Sequence, residues 1–311
     1  MLVLPWTAVW AQDAWPSRQV RIVVPYTTGG GIDVVARLLG QKLGEAWGQP
    51  VVIENRPGAG ASLGPSQVAK SPPDGYSFVI VSNTFALSAS SRARPPYDPL
   101  KDFTPVMLAT RAPFVLAVNP DLHAGNVQDL LAIARNKLGG INFASSGQGT
   151  GSHLAIELLK HRTKMTALHV PYKGSNQALI DLADGRLDAL FATPAAIMPL
   201  VNERKLQALA TTGRIRTPSA PGVPTMIESG VPDFEVVVWF ALLAPSGTPP
   251  AIVRKFHADA AKALQAPDMV ARLNGLGQEV VAMGPDEFAD YLSSEIKTWG
   301  DVVRQADIQF Q

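Results

Sequence analysis

The chain has 311 residues, with 27 Lys plus Arg against 26 Asp plus Glu, a formal net charge of +1. That length makes one large domain or two ordinary ones, and the charge balance lacks the basic footprint of a nucleic-acid partner. Cysteine is absent, which excludes thiol catalysis, thiolate metal sites and disulfides.

Met1 to Ala11 reads MLVLPWTAVWA, apolar and uncharged, and ends Val9-Trp10-Ala11 before Gln12. This resembles a secretory apolar region with a V-x-A cleavage site. The basic start of such a signal is missing, since the first basic residue is Arg18. A bilayer-spanning helix takes about 20 apolar residues, more than this stretch supplies. Residues 1–11 are read as a truncated signal peptide, with the mature chain starting near Gln12 and an exported, periplasmic product. The plainer reading is an apolar terminus.

After this segment, β-rich runs alternate with amphipathic ones. Gln19–Tyr26, Pro50–Asn55 and Tyr76–Asn83 read as strands, and Ile32–Trp47 as a helix with Val34, Val35, Leu38, Leu39 and Leu43 on its apolar side. Continuous apolar strands separated by helices predict a parallel sheet covered on both faces. Phe103–Thr110 and Phe114–Asn119 form the next apolar runs, broken at Arg111–Pro113. A second α/β set follows. Its strands are Ile141–Ser145, Leu168–Tyr172, Leu187–Thr193 and Leu206–Thr212. Its helices are Leu130–Leu138, Ser152–His161, Gln177–Ala183 and Ala195–Glu203. Arg214–Pro232, rich in Pro, Ser and Gly, reads as an ordered loop. Glu235–Ala244 is a long strand, and three helices close the chain at Pro250–Gln265, Met269–Leu276 and Pro285–Ala306.

The expected fold is α/β and two-lobed, each lobe a mostly parallel sheet flanked by helices. Residues 12–115 plus 238–311 form one lobe and 116–237 the other, with two crossing strands as the hinge. Such a hinge suits closure on a ligand.

The strand ends carry the candidate binding groups. Tyr26-Thr27-Thr28-Gly29-Gly30-Gly31 leads into a helix whose free N–H groups and positive dipole end suit an anion. The same glycines serve equally well as a tight turn, with Asp33 as a structural cap. The sequence is no dinucleotide fingerprint, because Val34 stands at its third glycine position, and no Gly-Lys-Ser/Thr follows for a P-loop. The stretch from Ser145 to Ser152 repeats the device. Ser82-Asn83-Thr84, Tyr172-Lys173-Gly174-Ser175 and Thr193-Pro194 add further donors. All sit at carboxyl ends of predicted parallel strands, where open α/β sheets bind ligands.

An enzyme needs a nucleophile, base and orienter placed together, and the sequence offers none. Ser152 and His153 are adjacent on a predicted helix and point about 100° apart. Asp181, Asp184 and Asp188 read as a solvated helix face and a turn. No metal site and no cofactor are expected.

Six segments taken in order resemble the Bug family of periplasmic solute receptors, associated with tripartite tricarboxylate transporters. They are PYTTGGGIDVVARLL (25–39), GQPVVIENRPGAGASLG (48–64), PPDGYSFVIVSN (72–83), FASSGQGTGSHLAIELL (143–159), VPYKGSNQALIDLADGRLDALFA (170–192) and PGVPTMIESGVPDFEVVVWFALLAPSGTP (221–249). The resemblance implies a type II periplasmic-binding fold that closes on a small organic carboxylate or dicarboxylate. It assigns ligand contacts to Tyr26, Thr27, Gly30, Ala59, Gly60, Ser82 and Asn83 on one lobe. On the other it assigns Ser146, Gly147, Thr150, Ser152, Tyr172 and Thr193. The sequence departs from the family pattern at Thr27-Thr28 and Ala61-Ser62, and the second departure leaves the loop path near Gly60 open. The implied protein is a monomer and no enzyme, read by a membrane transporter or a sensor kinase. An α/β enzyme acting on a small organic acid is the alternative.

Overall fold

The computed structural model describes residues 15–91, 96–172 and 174–305. The apolar segment 1–11 and Lys173, both named above, lie outside them.

The chain opens with β1 (Val20–Val24), α1 (Gly31–Trp47), β2 (Val51–Asn55), α2 (Leu63–Ala69), β3 (Ser77–Ser82) and α3 (Asn83–Ser91), then the long strand β4 (Phe103–Pro113). It passes through Phe114 into a second unit: β5 (Val115–Val118), α4 (Val127–Asn136), β6 (Ile141–Ser145), α5 (Gly151–Thr163), β7 (Ala167–Pro171), α6 (Ser175–Ala183), β8 (Ala189–Ala192), α7 (Pro194–Asn202) and β9 (Gln207–Thr211). It returns through β10 (Val237–Pro245) and ends in α8 (Pro250–Leu264), α9 (Pro267–Gly275), β11 (Glu279–Met283) and α10 (Pro285–Gln305).

Two sheets result, with strand orders β11-β4-β10-β3-β1-β2 and β7-β6-β8-β5-β9. Both are mixed. β1, β2 and β3 pair in parallel, and β10 lies antiparallel between β3 and β4. In the second sheet β6 pairs in parallel with β7 and β8, and β5 lies antiparallel between β8 and β9. β5 and β10 are the two reversed strands that enter from the other unit, while β11, at the edge of the first sheet, is reversed against β4 from within its own unit. The strand–helix–strand repeats run toward the junction between the units, so a strand entering from that junction runs against them.

The continuous apolar runs are explained by burial on both faces. Val20, Ile22 and Val24 of β1 pack with α1 and α8, while Val23 packs with Val68, Phe85 and Phe288 on the opposite face. Phe78 and Ile80 of β3 divide from Val79 and Val81 in the same way. In the second sheet Leu116, Phe143 and Phe191 face α4 and α5, and Val115, Ala144 and Leu190 face α6 and α7. Each large apolar side chain removed from water contributes about 1.5–3 kcal/mol, so these four layers hold the two units together.

The closing segment is not helical throughout. β11 forms an antiparallel edge on β4, with Glu279 opposite Arg111. Its residues are only half-buried, which blurred the apolar signal in the sequence. Neither α2 nor α3 was expected. The first holds Gly64 and Pro65 and the second is rich in Ser, so both have weak helical propensity.

The two crossings between units are tied together by one side chain. The buried Thr212 accepts the N–H of Phe114 at 2.8 Å through its hydroxyl, which donates to the carbonyl of Val236. Phe114 follows β4, and Val236 precedes β10. α10 also reaches across, since Trp299 packs in the apolar cluster of the second unit. Among the described residues no helix is long and apolar enough to cross a membrane.

Candidate functional site

The end of β3 meets the start of α5 across the junction. Asn83, 2% exposed, aims its side-chain amide at Gly151, and a Cβ on Gly151 would lie 2.8 Å from Asn83 Nδ2 and 3.0 Å from the Phe114 ring. Only a residue without a side chain fits this approach. Asn83 Nδ2 is buried and has no hydrogen-bond partner. Such a group costs about 1–3 kcal/mol unless an acceptor reaches it.

A chain of hydroxyls lies beside Asn83 on the first unit. Tyr26 and Ser82 hydroxyls are 2.7 Å apart, and Ser82 Oγ donates to Thr84 Oγ1 at 3.2 Å. Burial raises the pKa of the Tyr26 phenol, which keeps it a donor at neutral pH. The Tyr26 loop is held from behind. Asn55 donates to the Tyr26 carbonyl and to Asp33 Oδ1, while Asp33 Oδ2 accepts the Gly29 N–H and Arg37 Nε, each at 2.9 Å. Burial opposes the charge on Asp33, but the bonds from Arg37, Gly29 and Asn55 outweigh it and hold its pKa below the usual carboxylate value. Its charge is therefore satisfied within the loop. Gly30 starts α1 with no side-chain cap, and Thr27 is exposed beside it.

The path near Gly60 is a left-handed turn, with φ 48° at Ala59, 61° at Gly60 and 65° at Ala61. Two alanines in this region are strained, and Ser62 closes the turn by donating its hydroxyl to the Ala59 carbonyl at 2.6 Å.

On the second unit the Ser145–Ser152 loop forms a compact hydroxyl cluster. Ser146 N–H donates to Ser152 Oγ at 3.0 Å, and the Ser146 hydroxyl lies 3.0 Å from Ser152 Oγ and 3.2 Å from Thr150 Oγ1. Thr150 Oγ1 donates to the Gly147 carbonyl at 2.7 Å. Tyr172 and Thr193 stand differently. The Tyr172 hydroxyl donates to Asp181 at 2.6 Å, and Thr193 sits at the N-terminus of α7, where Gly277 of the first unit packs against Pro194 and Ala195. The structure thus gathers Tyr26, Ser82 and Asn83 on one side and Ser146, Gly147, Thr150 and Ser152 on the other. The Tyr172 hydroxyl is engaged elsewhere.

Beneath the second loop lies His169, which the sequence did not single out, in contact with Ser145 and His153, which it named in other roles. Ser145 Oγ is 2.7 Å from His169 Nε2, and the His169 ring stacks on His153 with centroids 3.9 Å apart. The Ser145–His169 contact resembles part of a hydrolytic dyad. Ser145 is fully buried and also bonds both the N–H and the carbonyl of Gly147, so its oxygen serves the loop. Asp181, Asp184 and Asp188 are separately engaged, by Tyr172 and Arg186, by Arg186, and by Lys137. Two cavities elsewhere, about 830 and 540 Å³, are lined by α4 with the 224–230 loop and by α10 with the crossing strands.

The arrangement is two donor surfaces with helix N-termini behind them, at a junction between lobes. Backbone amides, hydroxyls and helix dipoles can hold an anion without a basic side chain.

Residues 35–308 match the family described as "Tripartite tricarboxylate transporter family receptor". A protein of Pseudomonas sp. strain P51, "UPF0065 protein in tcbD-tcbE intergenic region", is 39% identical over 94% of this chain and 87% of its own length. Among solved structures, "R. palustris Rpa4515 with adipate" superposes with a TM-score of 0.81 at 36% identity, covering 95% of this chain and 99% of that one. "MatC (Rpa3494) from Rhodopseudomonas palustris with bound malate" gives 0.78 at 33% identity, covering 93% and 100%.

Proposed function

Because the chain belongs to the tripartite tricarboxylate transporter receptor family, we propose that it is an extracytoplasmic receptor that closes on a small organic carboxylate. The carrying observation is the buried, unpartnered Asn83 amide, aimed at the first turn of α5. Asn83 Nδ2 and the free N–H groups of that turn are all donors. They lack one thing, an acceptor with negative charge. A carboxylate oxygen supplies it. The adipate and malate bound to the two neighbours support a dicarboxylate, one end toward Tyr26, Ser82 and Asn83 and the other toward Ser146, Thr150 and Ser152.

In this mechanism the ligand docks on one wall and the second unit rotates about the Phe114 and Val236 crossings. Water leaves, and the ligand favours closure through the contacts it gains only in the closed state. Thr27, Gly30, Ala59, Gly60 and Thr193 border the same cleft. The closed form is then read by a membrane transporter or a sensor. The lobe boundaries placed at 115/116 and 237/238 lie beside the Phe114 and Val236 crossings, with Val115 already in β5 of the second sheet and Val237 in β10 of the first. Acid–base chemistry has no role in this reading. The α/β-enzyme alternative rests only on the Ser145–His169 contact, and turnover of a bound acid would reveal it.

Calorimetry with malate, adipate and shorter and longer dicarboxylates tests the proposal, after unfolding and refolding to strip any co-purified ligand. Heat of binding and a rise in melting temperature are expected, since a ligand of the folded state stabilises it by mass action. Neither heat nor a thermal shift with any of these acids overturns it.

A further inference from the structure

We propose that the stacked His153–His169 pair is a positioning device for the Ser145–Ser152 loop, one that loosens carboxylate binding in acid. The inference rests on reading that loop as a ligand wall.

The pair touches the loop at two points. Gly149 donates its N–H to His153 Nδ1 at 3.1 Å, and His169 Nε2 lies 2.7 Å from the Ser145 hydroxyl, which in turn holds both the N–H and the carbonyl of Gly147. The rings stack at 3.9 Å with an interplanar angle of 12°. The imidazoles come from α5 and β7, so the loop is gripped from two elements at once. The first bond fixes the tautomer. His153 Nδ1 accepts, so it carries no proton, and the proton of the neutral ring is on Nε2.

Protonation of His153 turns Nδ1 into a donor facing another donor, the Gly149 N–H. The bond is lost, and Gly149 lies one residue before Thr150, part of the hydroxyl cluster. Protonation of His169 places a charge against the stacked ring. A second proton is disfavoured by the first at this separation, so the pair titrates as a unit. The titratable and charged neighbours are Glu157 and Lys160 on α5. Glu157 Oε1 is 3.8 Å from His153 Nε2 and is paired with Lys160 at 2.9 Å. Burial lowers both histidine pKa values to about 4. Lys160 adds to this at His153. The His153 ring and Lys160 add to it at His169, where Glu157 acts in the opposite sense. Both rings are therefore neutral near pH 7, and the grip is intact there.

The test measures malate affinity by calorimetry from pH 7 to pH 4 in the wild-type chain, His153→Asn, His153→Ala and His169→Gln. Asn offers Oδ1 where Nδ1 stood, and Gln offers an atom near Nε2, without titrating. Wild-type affinity is expected to fall between pH 7 and pH 4 by about threefold more than that of His153→Asn, the acid's own protonation being common to both. His153→Ala should bind weakly throughout, with Asn restoring affinity at pH 7. Superimposable pH profiles for wild type and His153→Asn overturn the inference. Amide exchange at Gly149 in the ligand-free protein separates the two readings. A loss of Gly149 protection in acid, measured against the intrinsic exchange rate at each pH and seen in the wild type alone, supports the loop coupling even if no carboxylate binds, in which case the receptor reading fails and the positioning device stands.

Discussion

Thr212 and Phe114 clasp each other across the hinge. The Thr212 hydroxyl accepts the Phe114 N–H at 2.8 Å, and the Thr212 N–H donates to the Phe114 carbonyl at 2.9 Å. The same hydroxyl donates to the Val236 carbonyl. One buried side chain thus joins both crossings and holds them as a pair.

Replacement of this hydroxyl tests the clasp. Thr212→Val keeps the shape and leaves the Phe114 N–H without an acceptor, which should cost about 1–3 kcal/mol in urea denaturation. Thr212→Ser should restore most of it. Equal stability in Thr212→Val and wild type would show that the hydroxyl bonds are dispensable.

Gly151→Ala places a methyl group 2.8 Å from Asn83 Nδ2 and 3.0 Å from the Phe114 ring. Carboxylate affinity should fall tenfold or more, equivalent to about 1.4 kcal/mol, because the lobes can no longer approach. Helix α5 itself should not suffer, since Ala is the better helix former. Undiminished affinity places the ligand elsewhere.

Ser146→Asp adds a carboxylate to the hydroxyl cluster, where it repels an anionic ligand. A tenfold or larger loss of malate affinity is expected by calorimetry, with Ser146→Ala losing less. An unchanged Ser146→Asp affinity means that this loop is no ligand wall.

The pH dependence of stability has two opposed contributions. His153 and His169 bind protons less readily when folded, at about 4 against an ordinary 6.5. Their stabilisation is complete above pH 6.5 and is lost as pH falls through 4. Each tenfold change in proton affinity corresponds to about 1.4 kcal/mol. Denaturation of His153→Asn between pH 4 and pH 7 should show a shallower acid loss than wild type. Matching slopes count against a buried neutral pair.

Glu295 works the other way. Burial raises its carboxyl pKa, partly offset by the N–H bonds from Trp239 at 2.8 Å and Trp299 at 3.1 Å. A carboxyl that holds its proton more tightly when folded stabilises most in acid, and that contribution falls as pH rises through the raised value. Glu295→Gln keeps an acceptor and never ionises. Its stability relative to wild type should therefore increase from pH 5 to pH 8, and a pH-independent difference would refute the assignment.

The sequence by itself determined the alternation of strands and helices and the two-unit organisation. Runs such as Val20–Val24 and Ile141–Ser145 are apolar without a break because both faces of their sheets are covered, a local signal that composition preserves. It also placed polar, glycine-rich turns at the ends of these strands, and Tyr26, Ser82, Asn83, Ser146 and Thr150 were named from them. The tertiary structure alone decided which of those turns meet. The approach of Asn83 to Gly151, the stacking of His153 on His169 and the double grip of Thr212 join residues far apart in the chain, and no local period encodes such distances. β11 was hidden for the same reason. Its strand character comes from pairing with β4, not from its own half-buried, weakly patterned residues.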